Sequence, residues 1–262
     1  MKNKISSSAW SFLKKILSKL PPKFELTTRA LLKIGYEEEV ILLPYLCNKN
    51  KISVDIGANW GLDTYHLLKY SKSCIAFEPI PQLAKRLKRT FGKKVIIENV
   101  ALSNKNGKTT LRLPKINFAN ATIEEANQLE NFDDSNIEKI TIPMKRLDDY
   151  NLDTVGCIVI DVEGHEQAVL EGSKKYLSRD KPALIIEAEE RHKPNTISNM
   201  KEFLEKLGYE GFFFLDGYLH DLQKFSIETH QKNFKKRDVD LYLNNFIFIH
   251  KENIQKISKF LK

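Results

Sequence analysis

A chain of 262 residues with 42% hydrophobic content can bury a core within one main α/β domain. Its net charge of +8 sits at the ends: nine Lys and Arg stand against four Asp and Glu in residues 1–50 and again in 224–262, with twenty-four against twenty-six between. This argues against a nucleic-acid groove through the middle and suits the termini to an anionic surface. Cys47, Cys74 and Cys157 lie in apolar surroundings without metal-site or disulfide spacing, as in a reduced cytoplasmic protein.

Residues 1–50 read as an accessory helical segment. Trp10, Leu13, Leu17 and Leu20 recur at helical spacing, Lys14, Lys15 and Lys19 fall largely elsewhere, and Pro21-Pro22 ends the run. Such a basic amphipathic helix over 8–20 would pack on its own domain or a second copy, or lie on the inner face of an anionic membrane. Further helices are expected over 26–34 and 37–46.

The main domain is expected over 51–250. Strands are predicted at 51–56, 74–78, 95–99, 156–161 and 183–187, with helices at 64–70, 81–91, 165–176 and 197–207. Runs such as Cys157-Ile158-Val159-Ile160 are apolar throughout, as in a parallel sheet covered on both faces. Strands at 209–215 and 245–249 complete a doubly wound, mostly parallel seven-stranded sheet whose last strand is antiparallel. An insertion over 102–156 carries two alternating segments, 108–113 and 138–143, and reads equally as a mobile lid or a surface excursion. A basic tail, 251–262, is expected to be helical.

Val54-Asp55-Ile56-Gly57-Ala58-Asn59-Trp60-Gly61 joins the first strand to its helix. Gly57 permits the sharp turn off the strand and Gly61 close packing of the new helix, while Asn59 occupies the place of the glycine that a pyrophosphate would need. Asp55 favours a cationic guest such as S-adenosylmethionine. Glu78, ending the next strand, is placed to accept ribose hydroxyls. A second cluster, Asp161-Val-Glu163-Gly-His165-Glu166, ends the fourth strand, and Glu187, Glu189 and His192 follow the fifth. Strand ends of an open α/β sheet face one crevice, so these groups offer general bases, hydroxyl acceptors or ligands for Mg²⁺.

Together with Phe77-Glu-Pro79, Asn99-Val-Ala-Leu-Ser103, Leu147-Asp-Asp149 and Ile160-Asp-Val-Glu-Gly-His-Glu166, the loop resembles the FkbM family of S-adenosylmethionine-dependent methyltransferases over about residues 50–190. The resemblance implies a class I methyltransferase fold and O-methylation of hydroxyls on sugars or secondary metabolites. It places Asp55, Gly57, Asn59 and Gly61 at the methionine end of the cofactor, Glu78 at the ribose, and Asn99, Val100 and Ala101 beside the adenine. Asp161, Glu163 and His165 fall at the cofactor and acceptor side. His165 is a candidate general base, because an imidazole titrates near neutrality; Asp161 or Glu163 would serve if a divalent cation held by Asp161, Glu163 and Glu187 lowered the acceptor's pKa. Val159 stands where the family often has lysine. The expected acceptor is a small molecule or glycan and not nucleic acid; an RNA or DNA methyltransferase and a catalytically silent binding protein are the alternatives.

Overall fold

The computed structural model describes residues 17, 20–34, 37–232 and 242–262. Apart from Leu17 and Leu20, the expected 8–20 helix and its membrane or self-association roles lie outside these residues.

The central sheet is built from β1 (Ile52–Ile56), β2 (Ser73–Phe77), β3 (Val95–Glu98), β7 (Val155–Ile160), β8 (Ala183–Glu187), β9 (Tyr209–Leu215), β10 (Tyr218–Asp221) and β11 (Asn245–His250), in the order β10-β9-β11-β8-β7-β1-β2-β3. β1 pairs in parallel with β2 and β7, β2 with β3, and β7 with β8. β11 runs antiparallel between β8 and β9. This is the class I methyltransferase arrangement, extended by β10, an edge strand antiparallel to β9 that the sequence reading did not include. Its brevity and wet face (only Leu219 of Tyr218–Asp221 is buried) hide it from a search for apolar periodicity.

Helices cover both faces: α1 (Pro22–Leu31), α2 (Leu43–Leu46), α3 (Leu62–Tyr70), α4 (Pro81–Phe91), α5 (Glu166–Glu171), α6 (Lys174–Asp180) and α7 (Thr196–Lys206). Every residue of β1 is buried, including the polar Ser53 and Asp55 between its three aliphatic residues. The two core layers divide its side chains, Val54 and Ile56 packing with Ile158 and Ile160 on one face. On the other, Leu43, Leu67, Val159 and Ile185 pack together.

Four local expectations change. Pro22 opens α1, where its missing N–H costs nothing. The helix expected over 165–176 breaks between α5 and α6, where the Gly172 carbonyl accepts from the Asp148 amide at 2.9 Å. The 37–46 segment is mainly a 3₁₀ turn, Glu38–Leu42, leading into α2; the tail is a 3₁₀ helix, Lys251–Phe260.

The inserted segment makes its own three-stranded sheet, ordered β4-β6-β5, from β4 (Ala101–Leu102), β5 (Gly107–Pro114) and β6 (Ile137–Lys145). Leu111, Leu113 and Ile142 pack on Ile80 and Leu83 of the main domain. Among the described residues, no helix is long and apolar enough to cross a membrane.

Candidate active site

At the carboxyl ends of β1, β2 and β7 the strands open onto a cavity of about 580 Å³. Backbone geometry brings its walls together. Gly57 leaves β1 at φ +87°, so close to β7 that a Cβ there would stand 1.8 Å from the Asp161 carbonyl oxygen. The Gly57 and Ala58 amides donate to the Phe77 carbonyl at 2.9 and 3.1 Å, tying the loop to the end of β2. Asn59, also left-handed at φ +48°, aims its amide at Glu78.

Both oxygens of Glu78 are held. Oε2 accepts from the Asn59 amide and Oε1 from the Ile80 amide, each at 2.7 Å. These bonds pull its pKa down, but burial outweighs them and raises it to about 7. The Asn59 side-chain oxygen is buried without a hydrogen-bond partner among the described residues. An apolar slot of Phe77, Ile80, Leu83, Val100 and Ala101 adjoins Glu78, and Phe118, Ala119, Ala121 and Ile123 from the insertion close it.

The site residues expected from sequence separate into two layers. Gly57, Asn59, Glu78, Val100, Ala101, Asp161, Glu163 and His165 line the cavity. Asp55, Gly61 and Asn99 lie behind it. Asp55 is buried and accepts a hydrogen bond from the Thr64 hydroxyl; burial and the neighbouring Asp63 raise its pKa to about 8. Gly61 packs α3 on α4, since a Cβ would stand 2.6 Å from Leu87 Cδ2. Asn99 donates to the Glu78 and Pro79 carbonyls at 2.8 and 2.9 Å, fixing the turn that presents Glu78.

Asp161 also lines a second chamber of about 480 Å³ on the opposite sheet face, with Glu37, Glu39, Asp63 and Glu187 around an apolar floor. Its pairing places Asp161 beside Glu187, because Ile160 is opposite Ile186 in the β7–β8 ladder. Burial raises both carboxyls, Glu187 to about 9 and Asp161 well above its ordinary range; repulsion from Asp161 adds to this at Glu187, and repulsion from Glu163 adds to it at Asp161. Glu37 and Glu39 belong to the segment read from sequence as accessory; only the fold brings them here.

Glu163 and Glu187 open onto different chambers. Among the described residues no group of three or more His, Cys, Asp or Glu side chains is placed to hold a metal ion. Asp161, Glu163 and Glu187 therefore do not form the ligand set that the sequence allowed for Mg²⁺.

His165 has both ring nitrogens engaged. Nε2 lies 2.9 Å from Ser103 Oγ and Nδ1 lies 3.3 Å from Glu124 Oε2, which Lys193 also approaches at 3.0 Å. The bond from His165, with help from Lys193, holds Glu124 down at about 2. Glu163 sits in the left-handed region at φ +55°. Its carbonyl accepts from Thr122 Oγ1 at 2.8 Å and Asn127 Nδ2 at 2.9 Å, so the insertion clamps the end of β7. Arg112 reinforces the clamp by donating to the Glu124 and Asn127 carbonyls. Thr122, Glu124 and Asn127 were absent from the sequence reading, and Ser103 stood there only as the end of a motif with no role, because nothing local marks a polar residue whose partner is 36–62 positions away.

Known proteins show where this geometry belongs. The chain is similar to a methyltransferase FkbM from Methylobacillus flagellatus KT, at 16% identity and TM-score 0.47, covering 78% of this chain and 44% of that one. It is also similar to an rRNA methylase from Streptococcus thermophilus, at 13% identity and TM-score 0.42 over 80% of this chain and 91% of that one. A Streptococcus mutans protein in complex with SAH gives 13% identity and TM-score 0.41 over 80% and 93%. This chain thus spans less than half the length of the first of these structures. No curated protein matches it. The family model "Methyltransferase FkbM domain" matches residues 55–210, more than half the chain and the whole span from Asp55 past His192. The chain belongs to the FkbM methyltransferase family.

Proposed function

We propose that this protein is an S-adenosylmethionine-dependent O-methyltransferase acting on a hydroxyl of a glycan or other sugar-bearing molecule. One observation carries the reading: the cavity at the strand ends is lined by Glu78, Asp161 and Glu163 and, among the described residues, by no lysine or arginine. Among the described residues a phosphate-bearing cofactor would find no cation there, whereas a ligand with a sulfonium, an ammonium and ribose hydroxyls meets acceptors. The Asn59 oxygen, without a partner among the described residues, is a further buried acceptor, costly unless a ligand donates to it.

When bound, S-adenosylmethionine supplies a methyl group already activated by its sulfonium. Glu78 would take the ribose hydroxyls, the apolar slot from Phe77 to Ala101 the adenine, and Gly57 with Asp161 the methionine end. The ammonium would then face Asp161, the carboxylate that lines both chambers. Glu163 holds the acceptor hydroxyl in line and removes its proton; burial, with Glu187 and Glu189 nearby, raises its pKa to about 8 and so makes it a stronger base than an ordinary carboxylate. In this reading His165, bound at both nitrogens, positions the β7 end. This moves the role that the sequence suggested for His165 onto Glu163.

Calorimetric titration with S-adenosylhomocysteine and with NADH tests the cofactor, on native protein and on Glu78→Ala. Binding of the former alone, lost or much weakened in Glu78→Ala, is expected; binding of NADH, or of neither, overturns the assignment. Transfer of label from S-adenosylmethionine to hydroxyl acceptors tests the chemistry. Label found only on ring nitrogens of RNA would replace it.

A further inference from the structure

We infer, on the methyltransferase reading above, that Glu25 is a positioning residue of the cofactor loop, acting through Arg86 and Trp60. Three side chains from three parts of the chain make the connection. Glu25 of α1 is buried, at 2% exposure, and its Oε2 accepts from Arg86 Nη2 of α4 at 2.8 Å. The Arg86 guanidinium lies over the Trp60 indole, 4.6 Å from the ring centroid. Trp60 follows Asn59, whose amide holds Glu78, and precedes Gly61, where the loop passes into α3. A helix in the segment read from sequence as accessory thereby reaches the carboxylate proposed to take the ribose.

The loop calls for such a hold. Gly57, Asn59 and Gly61 are left-handed in alternation, at φ +87°, +48° and +87°. For asparagine this conformation is less favourable than the ordinary ones, and it persists where its surroundings fix it. The Gly61 amide closes the turn on the Ala58 carbonyl at 2.7 Å. Trp60 remains 44% exposed, so its indole is set by Arg86 rather than by enclosure in the core. Asn59 and Trp60 share a planar peptide unit, so displacement of Trp60 carries to Asn59 and to its bond with Glu78.

Glu25 in turn orders Arg86. A carboxylate taken out of water must be paired, and this one is paired twice: Oε1 accepts from Arg29 Nε at 2.9 Å and Oε2 from Arg86. Arg29 belongs to the same helix, whereas Arg86 carries the constraint across to α4. A guanidinium is planar, so fixing one edge on Glu25 also fixes the plane that the indole meets. Glu25→Gln keeps the side chain's volume and removes the charge that holds this plane. An ion pair that only joined α1 to α4 would, on the same substitution, lower the melting temperature and leave the loop and its ligand as they were.

The test uses the full chain with Trp10→Phe, so that Trp60 is its one tryptophan. S-adenosylhomocysteine is titrated by calorimetry into this protein and into Glu25→Gln, Trp60→Ala and the double variant, below the melting temperature of each. Each single substitution is expected to weaken binding roughly tenfold, within the range shown by residues coupled to a site without touching its ligand. Glu25→Gln should also raise acrylamide quenching of Trp60. Because the two residues act through one connection, their losses should not add, and the double variant is expected to bind as the weaker single variant does. Losses that add, or a Glu25→Gln protein with native affinity and quenching and only a lower melting temperature, overturn the inference. If Glu25→Gln does not fold, Arg86→Lys, which keeps the charge and loses the planar fork, replaces it with the same two outcomes. Absence of binding to protein with Glu25, Arg86 and Trp60 intact overturns the methyltransferase reading, whereas the failures above leave that reading standing.

Discussion

Glu163 Oε2 lies 3.2 Å from His192 Nε2, yet no hydrogen bond is completed between them. Burial pushes His192 down to about 4, so it is neutral at physiological pH and does not compensate a carboxylate. The same burial, with Glu187 and Glu189, raises Glu163 to about 8. A carboxyl in a left-handed backbone position, facing a cavity without a cation, is poised to accept a proton.

Glu163→Gln should lower kcat by roughly 10²–10⁴ while S-adenosylhomocysteine affinity stays within about twofold, the usual size of a lost general base. In the native enzyme kcat/KM should climb with pH toward about 8, because Glu163 must be ionised to act. A pH–rate series on methyl transfer checks this; a flat profile, or an active Glu163→Gln, rules out the assignment.

Asn127→Ala removes one of two donors to the Glu163 carbonyl. The cost should be about 1–2 kcal/mol of stability, read from urea unfolding, with a fall in kcat that exceeds any rise in KM. If both kinetic constants match those of native protein, the clamp does not position Glu163.

Gly57→Ala places a methyl 1.8 Å from the Asp161 carbonyl at a φ of +87°. Loop and strand must separate, so a loss of several kcal/mol and of cofactor binding is expected. A thermal melt and a titration measure both; native values for each would contradict the close approach.

Burial raises Asp55 to about 8, Glu187 to about 9 and Glu39 to about 7, against ordinary values of 3.8 for Asp and 4.5 for Glu. With folded-state pKa values raised, the stability these groups contribute is full below about pH 4 and is lost as pH climbs through 7–9. The melting temperature of the unliganded protein should therefore fall between pH 6 and pH 9. An ammonium-bearing ligand favours the ionised carboxylates, so binding near neutral pH should release protons. Calorimetry in buffers of different ionisation enthalpy reads that release, and proton uptake would refute the electrostatic argument.

The order of strands and helices was legible in the residues because buried parallel strands are apolar throughout and their joining loops carry glycines and acids at strand ends. Gly57, Asn59, Glu78 and Asp161 could be found this way, since each sits within three residues of a readable strand terminus. Asp55 and Asn99 were equally visible, but whether they line the cavity or support it depends on side-chain direction, which strand ends do not reveal. Only the tertiary structure decided which acids face one another, that Glu37 and Glu39 reach the second chamber, and that the insertion clamps Glu163. It also occupied both nitrogens of His165, through Ser103 at a separation of 62 residues and Glu124 at 41. Periodicity records burial along one element; a hydrogen bond between distant loops leaves no period, so its partners become known only when the chain has folded.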